Sequence, residues 1–74
     1  MKLTDSINGE VTVEVTSADI SALLTAVGES GIILHQVQMV SDLTVLIGVS
    51  RHDVKRLKTI LRRRGDDAHI VRRS

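Results

Sequence analysis

Residues 9 to 16, GEVTVEVT, alternate without a break: Val11, Val13 and Val15 fall on one side, Thr12, Glu14 and Thr16 on the other. A period of two is the signature of a half-buried β-strand. The period then changes. Ile20, Leu23, Leu24 and Val27 recur at three and four residues, the spacing of one buried helix face, with Ser17 placed to cap its start. Gly28 and Gly31 mark the end of that helix, and Gly31 suits a left-handed residue just beyond it. IILHQVQMV resumes the strand period, with Ile33, His35, Val37 and Met39 expected on one side. Ser41 and Asp42 break the chain before LTVLIGV, so the second and third strands are expected to form an antiparallel hairpin. The third strand is apolar on both faces and should be central. Ser50 and Asp53 have the spacing of a capping box, opening a helix that turns Val54, Leu57, Ile60 and Leu61 inward until Gly65 stops it. AHIVR closes the pattern with Ala68 and Ile70 inward.

The order β-α-β-β-α-β predicts an α+β domain of ferredoxin-like topology: a four-stranded antiparallel sheet, order 4-1-3-2, with both helices on one face. Residues 1–8 read as a polar leader and residues 9–74 as one domain. The chain contains no Phe, Tyr or Trp, so its core must be built from aliphatic side chains in layers. The other sheet face is left open. Alternation assigns to it Thr12, Glu14, Leu34, Gln36, Gln38, Val40, Thr44, Leu46, His69 and Val71, of which Leu34, Val40, Leu46 and Val71 supply apolar area for a protein partner or for self-association.

Several functions are excluded by what the chain contains. Without Cys there is neither a disulfide framework nor a thiolate site. In the expected strand order His35 and His69 lie on opposite edges, about 14 Å apart, and His52 diverges from its neighbour Asp53 on a helix, so no metal site is expected. No Ser stands in a nucleophile elbow or beside a His, and the acids are scattered. The glycines form no phosphate-cradling motif. No enzyme activity and no cofactor are therefore expected. No stretch is long and apolar enough to span a bilayer or to act as a secretory signal, which fits a cytoplasmic product.

Charge is distributed unevenly. Residues 1–50 hold one Lys against six acids, whereas residues 51–74 hold nine bases against three acids. On the second helix Arg51, Lys55, Lys58 and Arg62 recur at four, three and four residues and form one row. Arg56 and Arg63 widen it, and Arg64, Arg72 and Arg73 extend it toward the end of the sheet. Part of this is the physics of any amphipathic helix, since cations in the last turn complement the helix dipole. A helix that served solubility alone would interleave Glu with Lys, and here only Asp53 does so. An anionic partner is the fair expectation: lipid head groups, an acidic protein or nucleic acid. Nucleic acid is disfavoured, because ferredoxin-like RNA binders stack bases on aromatic rings and this chain has none; only weak, salt-sensitive backbone contact survives. A small-ligand-sensing module of the same topology is a further alternative, although the first strand-to-helix turn, VTSAD, lacks the glycine of such ligand loops.

GEVTVEV, SGIILHQVQ, LTVLIGVSRHDVKRLKTILRRRG and AHIVRRS together resemble the N-terminal domain of sporulation proteins of the YqfD type over residues 9 to 73. Members of that family commonly carry Trp where His35 stands here. The resemblance implies a sporulation-related function and leaves the biochemical activity unknown; taken with the residues, the expectation is a non-catalytic interaction domain of a sporulation-related protein. It also implies a cytoplasmic, membrane-proximal position, because the family domain precedes a membrane-spanning segment. Positive charge on that side of a membrane is favoured at on the order of 1 kcal/mol per well-placed base.

Overall fold

Val11, Val13 and Val15 point into the core, and so do Val45, Ile47 and Val49, their partners across the ladder. They do so in a computed structural model of the chain that describes residues 9–73; the expected leader lies outside the described residues. The elements are β1 (Glu10–Thr16), α1 (Ile20–Glu29), β2 (Leu34–Met39), β3 (Thr44–Ser50), a 3-10 turn (Arg51–Asp53), α2 (Val54–Arg64) and β4 (Asp67–Arg73). All strand pairs are antiparallel, in the order β2-β3-β1-β4. This is the expected 4-1-3-2 sheet viewed from its other edge, and β3 is central as its two-sided apolar pattern required. Ile20, Leu23 and Val27 of α1 and Leu57 and Leu61 of α2 join the six strand residues in one cluster, so both helices cover the same sheet face. Each such side chain contributes roughly 1.5–3 kcal/mol by leaving water.

Three local details depart from the sequence pattern. The first concerns the cap of α1. Asp19, not Ser17, is the N-cap, its carboxylate accepting from Ala22 N at 3.0 Å. Ser17 is two residues earlier and buried: its N–H donates to Leu43 O, and its hydroxyl accepts from Asp19 N. The second concerns the start of α2. Ser50 accepts from His52 N and caps the 3-10 turn, while Asp53 makes no side-chain cap bond, so the reciprocal half of the expected box does not form. Asp53 pairs instead with Arg56.

The third shifts the phase of β2. The ladder with β3 slips between Leu34 and Gln36, leaving His35 as an unpaired extra residue. Leu34 therefore pairs with Val49 and packs against the core, and does not belong to the open face. Val37 and Met39 still share the helix-side face through Ile47 and Val45. A bulge also interrupts β4. Val13 pairs with Ile70 but Thr12 with Arg72, so Val71 has no partner in the ladder.

Of the three glycines expected to end helices, Gly28 lies inside α1, whereas Gly31 and Gly65 stand beyond helix ends with φ of 86° and 81°. After α2 the N–H of Gly65 donates to Arg62 O and that of Asp66 to Leu61 O, the paired bonds of a Schellman motif.

Candidate interaction surfaces

The outward arc of α2 follows from its two periods. Leu57 and Leu61 are buried, so residues about half a turn away must face solvent. Lys55, Arg56, Lys58, Arg62, Arg63 and Arg64 are all exposed, as is Arg51, which falls in the 3-10 turn before α2 and not on the helix as expected. Two of them are spoken for: Arg56 pairs with Asp53 at 3.2 Å and Arg64 with Asp66 at 2.8 Å. Among the described residues, Arg51, Lys55, Lys58, Arg62 and Arg63 have no carboxylate partner. Arg72 and Arg73 lie at the far end of β4, opposite Thr12 and Val11 of β1. A shallow hollow lined by Lys58, Leu61, Arg62, Asp66, Asp67 and Ala68 joins α2 to β4. Its own two carboxylates oppose its cations, so the hollow is not a specific anion pocket.

The open sheet face is more polar than alternation alone suggested. Ladder pairing places Glu14, Leu46 and Gln38 side by side, and Thr16, Thr44 and Asp67 in another row. His69 Nε2 stands 2.9 Å from Glu14 Oε1 across the β1–β4 ladder. The Glu10 carboxylate occupies the space a side chain at Gly48 would take, with Gln36 Cβ 3.2 Å from that position. Of the four apolar residues expected here, Leu34 faces the core, Leu46 is half-buried, Val40 lies in the β2–β3 turn and Val71 at the β4 bulge. No continuous apolar patch is formed by them.

Exposed apolar area gathers instead along β2 and its flanks: Ile33, Val37, Met39, Val40 and Leu43. The helices do not reach far enough to cover Val37 and Met39, although these share the helix-side face. The alternation of β2 put Val37 and Met39 on the side away from the open face, and alternation alone does not tell whether that side is covered. The Glu14–His69 contact needed the register of two strands 55 residues apart and had no local signal.

His35 and His69 lie on the two edge strands. Among the described residues no three metal-ligating side chains gather, and no helix is long and apolar enough to cross a membrane.

No curated protein and no solved structure matches the chain. One family does, described as "Putative stage IV sporulation protein YqfD", over residues 5–74. With nearly its whole length matched, and with the β-α-β-β-α-β order in place, the chain belongs to the YqfD family of sporulation-related proteins.

Proposed function

We propose that this domain is a non-catalytic interaction module, and that the outward arc of α2 docks it on the anionic head-group layer of a membrane. The observation that carries this reading is the set Arg51, Lys55, Lys58, Arg62 and Arg63, exposed on one arc without carboxylate partners among the described residues. Uncompensated like charge on a helix costs self-repulsion, which an anionic surface removes. Each base near such a surface contributes about 1 kcal/mol, and the attraction fades within a Debye length. The cytoplasmic, membrane-proximal position implied by family resemblance puts that surface within reach.

Nucleic acid is less well supported. The sheet face that serves ferredoxin-like RNA binders carries Glu10, Glu14 and Asp67 and no Phe, Tyr or Trp, and the imidazole of His69 is engaged by Glu14. The ligand-sensing alternative also lacks support, because the β1–α1 turn uses its groups internally: Asp19 N donates to Ser17, and Asp19 caps the helix.

Co-sedimentation with phosphatidylserine-containing vesicles tests the proposal. Binding is expected at low salt, should fall steeply as salt is raised, and should be absent on purely zwitterionic vesicles. The triple substitution Lys55→Glu, Lys58→Glu, Arg62→Glu should abolish it. Equal binding by that variant, or tighter binding to single-stranded RNA than to anionic vesicles, would refute the assignment.

A further inference from the structure

The sheet has two edges, and they are built differently. β4 carries Asp67, His69, Arg72 and Arg73 and is bulged, devices that discourage an added strand. β2 has no Lys, Arg, Asp or Glu, and the uncharged run extends from Ser30 to Ser41. Val37 and Met39 are 46% and 53% exposed on its helix side. Its main chain is also poised. Val40 N donates to Thr44 O at 2.9 Å, and bonded pairs alternate along an antiparallel ladder, so Gln36 and Gln38 also turn their peptide groups toward β3. Val37 and Met39 then direct theirs outward, where no strand lies among the described residues.

We propose that two copies of this chain join along β2, antiparallel about a two-fold axis at Gln38, to make one continuous eight-stranded sheet. In that register Val37 of one copy opposes Met39 of the other. These two residues exchange both main-chain hydrogen bonds, and the axis repeats the exchange. On the helix side apolar meets apolar. On the open side Gln38 meets its own copy and Gln36 meets Val40, and nowhere does a charge face a like charge. A second copy is the occupant because this self-matching is built into the strand. Moving the axis to Val37 would draw the His35 bulge into the ladder, and moving it to Met39 would pair Val37 with Ser41 beyond the strand end, so the axis at Gln38 is the register proposed. The contact is short and falls at the small end of specific interfaces, so the association is weak. α2 lies beside β4, as the shared hollow shows, so the two cationic arcs stand at opposite ends of the pair.

Sedimentation equilibrium of the 74-residue chain from about 20 µM to about 1 mM reads the association directly. A monomer–dimer equilibrium is expected, and Met39→Lys should remain monomeric throughout, its melting temperature matching that of the wild-type chain at dilutions where the latter is monomeric. Because the chain has no Cys, single-cysteine variants report the register. Gln38→Cys should oxidise to a covalent dimer, its Cα atoms falling about 4.5 Å apart as a non-bonded pair. Gln36→Cys should not, being about 13 Å from its symmetry mate along the strands. A wild-type chain that stays monomeric at 1 mM overturns the proposal, as does a Met39→Lys variant that still dimerises. Cross-linking of Gln36→Cys as readily as Gln38→Cys overturns the register.

Discussion

Gly65 holds φ at 81° just beyond α2, and nothing lies within 4 Å of where a Cβ would be. Space is therefore no obstacle to an added methyl group, and backbone conformation is. Gly65→Ala is expected to lower stability by about 1 kcal/mol or more, since a left-handed Ala is strained. Gly28 has the same empty surroundings but sits inside α1. Gly28→Ala should raise stability by about 0.5–1 kcal/mol, by helix propensity and a less free unfolded chain. Urea melts of the two variants should move in opposite directions. Neighbouring residues on α2 show the same dependence on place. Leu57 is fully buried and Lys58 exposed; Leu57→Ala should cost about 2–5 kcal/mol, whereas Lys58→Ala should stay within about 0.5 kcal/mol. The alternation of apolar and polar residues already contained this contrast. The Asp19 cap did not announce itself so clearly, because Ser17 and Asp19 are both good cap residues and which one serves depends on where the strand lets go.

At the scale of elements, α1 and α2 begin differently. α1 starts on a carboxylate that accepts a main-chain hydrogen bond, and Asp19→Ala should cost about 0.5–2 kcal/mol in chemical denaturation. α2 is entered through a 3-10 turn capped by Ser50 at 3.3 Å, a weaker bond, so Ser50→Ala should cost less than Asp19→Ala in the same measurement. The strands show the limit of reading elements one by one. β1 and β3 have the expected faces along their whole length. β2 does not, because a single extra residue at His35 reverses the face of what precedes it. Leu34 is thereby taken from the open face into the core. A bulge arises from the fit of two strands to one another, so the alternation of either strand alone carries no trace of it.

At the scale of the molecule, the cations among the described residues gather on the 3-10 turn, α2 and the end of β4, while the open sheet face carries Glu10, Glu14 and Asp67. Stability and docking should therefore respond to salt with opposite signs. Raising salt from about 50 to 500 mM shortens the Debye length from about 14 to about 4 Å and screens repulsion along α2. The melting temperature should rise slightly or stay constant in calorimetry, while vesicle binding declines. A melting temperature that fell together with binding would mean that attractive pairs such as Arg56–Asp53 and Arg64–Asp66 outweigh the repulsion along α2.

The order of elements, the aliphatic core and the outward row of bases were determined by the sequence alone. Each depends on a period that a single helix or strand imposes on its own side chains, and each survives any small change in pairing. The phase of β2, the partnerless Val71, the Glu14–His69 contact and the bare flank at Val37 and Met39 were decided only in the folded molecule. These depend on register and on how far two short helices extend across four strands. A residue's own period tells which face it shares, and only packing tells whether that face is covered.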